Sequence, residues 1–234
     1  MPRLVLVHGS VSNGPRAWAA QRPLAERHEL VVLNRRGFPP RPDVGRVDFD
    51  DEAVWVAERT RAGDHLVGHS YGGVIALLAA VKVAGLASLT VVEPPAFGVA
   101  RGHPAVEEFV RAATTQRLRA HAPEAFLRGF LASVGSPYDP PSPLPAEVEQ
   151  GARTLLVERP PWEARIPLAE LRARRLPALV VSGAHSAAFD AVCDVLEREL
   201  GAERAVCAGA GHVAQMTPAF NDVLERFVRR AEAA

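Results

Sequence analysis

Gly68-His69-Ser70-Tyr71-Gly72 stands directly behind the apolar run His65-Leu66-Val67 and directly ahead of the apolar stretch Gly73 to Val83. The pattern is G-x-S-x-G, and its spacing has a physical reason. The serine sits on a turn so tight that only small residues two before and two after it avoid backbone clashes, and the hydroxyl is pushed out above a sheet. A bare G-x-S-x-G recurs by chance in many chains. The strand before it and the helix after it make Ser70 a candidate nucleophile.

Outward from this turn, short runs rich in Val and Leu alternate with longer helical patterns. The strand candidates are Leu4 to Val7, Leu30 to Leu33, His65 to Val67, Leu89 to Val92, Ala178 to Ser182 and Arg204 to Cys207. Each is nearly uniformly apolar, as expected of strands covered on both faces. Asn13 reads as the cap of a helix carrying Trp18 and Leu24, and Asp50-Asp51 as the start of one carrying Val54 and Ala57. Phe189, Cys193 and Leu196 mark another helix, and Phe220, Leu224 and Phe227 the last. The expected class is α/β, a doubly wound and mainly parallel six-stranded sheet.

One stretch breaks the alternation. Residues 96–175 offer no convincing strand and hold ten of the 20 prolines and six of the 14 aromatics. They read as short helices over Val106 to Leu118, Glu124 to Val134, Pro145 to Val157 and Leu168 to Arg174, with Ser136 to Pro143 as a stiff internal loop. The expected organisation is a core of residues 1–95 and 176–234 with a helical cap inserted at 96–175.

Composition narrows the function. The chain has 234 residues, with 27 Lys plus Arg against 27 Asp plus Glu, for no net charge. A neutral chain lacks the basic stripe that neutralises phosphates, so neither nucleic acid nor an anionic membrane surface is an expected partner. No apolar run of about 18 residues is present, and no signal peptide precedes Arg3-Leu4-Val5; a cytoplasmic location is the expectation. Cys193 and Cys207 form no CxxC, which points to small buried hydrophobes rather than a zinc site or a disulfide. The cluster Arg172, Arg174 and Arg175 reads as a solvated helix face.

A hydrolytic serine needs two further parts. Backbone N–H donors must face the developing oxyanion. Tyr71, just after Ser70, supplies one, and the loop after His8-Gly9 supplies the other, most simply from Ser10, with Val11 as the fallback. His8 itself reads as a brace for that loop. The second part is an imidazole to take the serine proton. His212, in Gly209-Ala210-Gly211-His212 after the last strand, is placed for it; His28, His103 and His121 fall in helical or capping contexts, and His65 opens a strand.

Together, His8-Gly9, Gly68 to Gly73 and Gly211-His212 resemble the α/β-hydrolase superfamily, in the compact capped esterase-like branch that also contains meta-cleavage C–C hydrolases and haloperoxidase-like enzymes. The resemblance spans almost the whole chain, including Asn34-Arg35-Arg36-Gly37, where this branch often has Asp-x-x-Gly. It implies a sheet lacking the family's first two strands. It also implies a carboxylate after the strand that precedes the histidine strand, yet Val181-Ser182-Gly183-Ala184-His185-Ser186 places Ser186 in that slot. Glu93, ending Leu89-Thr90-Val91-Val92, stands where some relatives, haloalkane dehalogenases among them, have their acid; Asp190, or no carboxylate at all, are the alternatives.

The expected function is a serine hydrolase of a small or medium hydrophobic ester, thioester or lactone, using Ser70, His212 and Glu93 and needing no cofactor or metal. Phe97, Phe126, Phe130 and Trp162 are the candidate pocket wall. The rival reading, raised by Ser186, keeps the pocket and replaces hydrolysis with cyclisation, elimination, C–C cleavage or ligand reception.

Overall fold

The computed structural model describes residues 1–120 and 122–233. His121, one of the histidines weighed against His212, lies outside them. The strands are β1 (Arg3–Val7), β2 (Glu29–Leu33), β3 (Asp64–His69), β4 (Ser88–Val92), β5 (Ala178–Ser182) and β6 (Glu203–Val206). The helices are α1 (Gly14–Ala17), α2 (Phe49–Ala57), α3 (Tyr71–Ala80), α4 (Pro104–Leu118), α5 (Pro123–Ser133), α6 (Ala146–Val157), α7 (Leu168–Ala173), α8 (Ala187–Leu200) and α9 (Pro218–Glu232).

The strands form one six-stranded sheet in the order β2-β1-β3-β4-β5-β6, with every neighbouring pair parallel. All six overlap the runs that predict them, but cover on both faces holds only for the inner strands: the edge strands β2 and β6 are partly exposed, and β6 spans Glu203–Val206, one residue earlier than expected. The elbow strand runs beyond its hydrophobic stretch because pairing continues, Gly68 opposite Val91 and His69 opposite Val92.

Because successive strand residues face opposite sides, the sheet feeds two cores. Val5, Val7, Leu66, Val91 and Val180 pack with residues of α2, α3 and α8 on one side. Leu4, Leu6, Val67, Leu179 and Val181 pack on the other with Trp18, Leu24 and the α9 stripe Phe220, Leu224 and Phe227. Both cysteines are free and buried. No helix among the described residues is long and apolar enough to cross a membrane.

Three local readings shift. Asn13 does cap a helix, accepting from the Arg16 N–H, but α1 ends at Ala17 and Leu24 falls in a 3-10 run, Ala19–Glu26, that contains Pro23; proline has no N–H for an α-helical bond. Asp48 rather than Asp50-Asp51 caps α2, and its inward residues are Ala53 and Val56, with Val54 left 45% exposed. Finally, α3 stops at Ala80, short of Val83.

Between β4 and β5 the chain builds the helices α4 to α7. α5 and α6 share a small apolar cluster with Phe126, Leu127, Leu131, Val148 and Leu155. Val106 and Val110 of α4 and Leu171 of α7 join the main core instead. Arg174 is not wholly solvated, since its guanidinium donates to the Val83 carbonyl at 2.7 Å.

The loops after β5 and β6 touch backbone to backbone. A Cβ on Gly183 would stand 1.9 Å from the Gly211 carbonyl oxygen. Gly183→Ala is therefore expected to cost about 3 kcal/mol, at the upper end of overpacking penalties, and to lower the melting temperature by roughly 6–12 °C. An unchanged thermal melt would contradict it.

Candidate active site

All candidate groups gather at the carboxyl ends of the strands, the usual place for a site on an open parallel sheet. Ser70, between β3 and α3, has φ 52° and ψ −126°, an unusual backbone for a non-glycine residue. The flanking glycines permit it: a Cβ on Gly68 would meet the Gly72 carbonyl at 2.3 Å, and one on Gly72 would meet the Val7 carbonyl at 2.3 Å. The turn is tied down by the Ser70 N–H, which donates to the Val92 carbonyl at 2.9 Å.

His212 lies on the turn after β6, with its Nε2 2.8 Å from Ser70 Oγ. The variable position of the elbow motif also contributes. His69 Nε2 is 2.8 Å from the His212 carbonyl oxygen; because a carbonyl only accepts, the His69 ring carries its proton on Nε2 and holds the His212 backbone in place. Burial keeps His69 down at about 3, so it stays neutral.

Glu93 follows β4 with φ 49° and is fully buried. Its Oε1 accepts the Gly183 N–H at 2.6 Å, and its Oε2 is 3.4 Å from His212 Nδ1. A second imidazole, His185, also brings Nδ1 to 3.4 Å from Oε2. Among the described residues, Glu93, His185 and His212 are a group whose donor atoms converge, to within 4.8 Å of one another. Burial raises Glu93 to about 7, against the pull of the Gly183 N–H and His185. Burial, helped by His185, lowers His212 to about 3. The other acid candidates sit elsewhere: Ser186 precedes α8, and Asp190 is 3.2 Å from Arg204.

The His8 loop presses on the nucleophile, since a Cβ on Gly9 would be 2.8 Å from Ser70 Cβ. His8 is fully buried, with Nδ1 2.8 Å from the Gly9 carbonyl oxygen and Nε2 accepting the Arg35 N–H at 2.9 Å. Both ring nitrogens are thus occupied by backbone, and the ring braces the loop. Burial and the nearby Arg35 charge push its pKa well below the usual histidine value. Val11, the fallback donor, has φ 72°.

Ser10, Ser70, Tyr71 and His212 line one cavity, whose wall includes Phe97, Phe126, Phe130 and Trp162 together with Phe109 and Phe189. A second cavity meets it at Ser70 and His212 and runs past Val11, Arg16, Tyr138 and Met216.

A sequence profile of the Alpha/beta hydrolase family matches residues 4–222. The chain belongs to this family. Solved structures agree with this α/β-hydrolase fold. MenH from S. aureus is 13% identical with a TM-score of 0.73, covering 99% of this chain and 94% of its own. A thermophilic esterase from Thermogutta terrifontis, solved with malate bound, is 21% identical with a TM-score of 0.70, covering 99% and 90%. A structure described among the carboxylesterases of Nitrososphaera gargenis is 17% identical with a TM-score of 0.69, covering 99% and 91%. No curated protein sequence matches the chain. The family sets a hydrolase fold with esterases among its structural neighbours.

Two contributors escape a reading of this α/β-hydrolase from sequence. His185 sits two residues past Gly183 with no local pattern to mark it, and Arg35 is indistinguishable in sequence from its neighbour Arg36. Arg35 is completely buried, and Arg36 is exposed.

Proposed function

We propose that this α/β-hydrolase is a serine hydrolase of carboxylic esters, with Ser70 as nucleophile, His212 as base and Glu93 as the acid that orients and charge-balances His212. The observation that carries the reading is the chain of contacts from Ser70 Oγ through His212 to the buried Glu93 carboxylate. Ser70 attacks the acyl carbonyl while His212 Nε2 takes its proton; His212 then returns that proton to the leaving alcohol. Water, deprotonated by His212, clears the acyl-enzyme. The Ser10 and Tyr71 N–H groups hold the oxyanion; neither donates to a backbone carbonyl among the described residues.

The two cavities meeting at Ser70 provide one space for each side of the scissile carbonyl. The aromatic wall favours a small or medium hydrophobic ester, thioester or lactone, drawn in by burial. In this reading residues 96–175 act as the cap and the remainder as the core. A fluorophosphonate should label Ser70 stoichiometrically, and p-nitrophenyl acetate should give a burst of one equivalent of p-nitrophenol. A wild-type chain that neither labels nor bursts refutes the proposal.

The buried carboxyl sets the pH dependence. Below about pH 7 Glu93 is protonated and cannot balance an imidazolium, whereas His212 is neutral throughout because its own value lies near 3. Activity is expected to rise with pH across about 7 and then level off, and the residual activity of Glu93→Gln should lose that limb. A wild-type profile flat from about pH 5 to 9 would contradict this assignment.

A further inference from the structure

Behind the oxyanion loop lies a buried ionic cluster. Arg35, in the turn after β2, has no exposed surface, and its guanidinium meets Glu52 Oε2 and Glu158 Oε1 at 2.7 Å each. Burial opposes the charge on Arg35, but Glu52 and Glu158 outweigh it and raise the group's pKa further. Glu158 also accepts a short hydrogen bond from Ser10 Oγ. A cluster so costly to desolvate is a poor device for stability alone.

Its geometry supplies another role. Arg35 Nη1 donates to the Gly9 carbonyl at 2.8 Å, the oxygen that His8 Nδ1 also reaches at 2.8 Å. That oxygen belongs to the Gly9–Ser10 peptide unit. In a trans peptide the C=O and N–H point in opposite directions, so fixing the Gly9 oxygen on the Arg35 and His8 side aims the Ser10 N–H the other way.

Glu158 comes from the cap. It directly follows α6, and the chain there is stitched to the core: the Val47 N–H donates to the Val157 carbonyl at 3.0 Å and the Arg159 N–H to the Val47 carbonyl at 2.8 Å. Tyr71 adds a third tie, its hydroxyl donating to the Arg159 carbonyl at 3.0 Å.

We propose that Arg35 and Glu158 are positioning residues that hold the Gly9–Ser10 peptide with its N–H toward the oxyanion, making the cap's return segment a working part of the oxyanion hole. Arg35 grips the peptide oxygen, Glu158 grips the Ser10 side chain, and the ion pair between them locks both grips together. The inference rests on the serine-hydrolase reading.

The test compares wild type, Arg35→Lys, Glu158→Gln and Ser10→Ala, each checked for folding by circular dichroism. A lysine cannot reach the Gly9 oxygen and both carboxylates at once. Arg35→Lys should therefore lower kcat on a p-nitrophenyl ester about 100-fold, the usual loss for one oxyanion donor, with KM changed little. Binding of a trifluoromethyl ketone, which forms a tetrahedral adduct with the serine, should weaken by the same factor as kcat/KM. Glu158→Gln should move both quantities together by a smaller factor. Ser10→Ala leaves the N–H in place and removes only the grip of Glu158, so it keeps the test alive if the charge variants do not fold.

Folded variants with wild-type kcat and wild-type ketone affinity overturn the proposal. So does a kcat loss without a matching loss of ketone affinity. If the wild-type chain is not labelled by a fluorophosphonate, the hydrolase reading itself fails, and this proposal fails with it.

Discussion

Ser70→Ala is expected to lower kcat for a p-nitrophenyl ester by roughly a millionfold, the scale seen when the nucleophile of a serine triad is removed. Alanine deletes only the hydroxyl that faces His212 Nε2 at 2.8 Å. The elbow geometry is dictated by glycine contacts and by the Ser70 N–H, none of which the substitution touches. Substrate should bind with its affinity almost intact, because the cavity walls are unchanged. The check is stopped-flow and steady-state kinetics on the purified variant, with equilibrium binding of a product acid alongside. A variant retaining even a hundredth of wild-type turnover would remove Ser70 from the chemistry.

The second large effect belongs to Glu93. Glu93→Gln keeps the size of the side chain and an oxygen to accept the Gly183 N–H, but removes the charge that balances the imidazolium. A drop in kcat of about 10,000-fold is expected, as for neutralising the acid of a protease triad. Ser186→Ala, in the family's customary acid slot, should change kcat by no more than about twofold, in line with other substitutions away from critical features. Ser186 precedes α8 and makes no side-chain hydrogen bond as its cap. Equal and mild effects from the two substitutions would take Glu93 out of the mechanism.

The acid is also where the limits of sequence reading are clearest. The elbow is legible because a strand, a glycine-bounded turn and a helix are all local, and His212 is legible because it follows a recognisable strand and a glycine-rich loop. The inner strands β1, β3, β4 and β5 are legible for the same reason, as short apolar runs buried on both faces, whereas the edge strands β2 and β6 are partly exposed. Glu93 requires knowing that β4 and β5 are neighbours, since the Gly183 N–H that fixes its carboxylate comes from the end of β5. Arg35, Glu158 and His185 reach the site through contacts that no local pattern announces. Arg35 and Glu158 lie far apart in the chain, and their meeting depends on the end of α6 lying against the turn after β2. Helix ends differ from the sequence expectation where a single side chain decides them, as with Asp48 at α2 and Pro23 in the run after α1.

The small apolar cluster shared by α5 and α6 has a consequence for the molecule's breathing. A unit held by a handful of buried side chains opens at a lower free energy than a sheet packed on both faces. Backbone amides of α5 and α6 should therefore trade their hydrogens with solvent while those of β3 and β4 remain protected. Ser70 directly follows β3 and Glu93 directly follows β4, so their backbone is expected to share the protection of those strands. Glu158, fastened at the far end of α6, stands on the boundary between the two regimes.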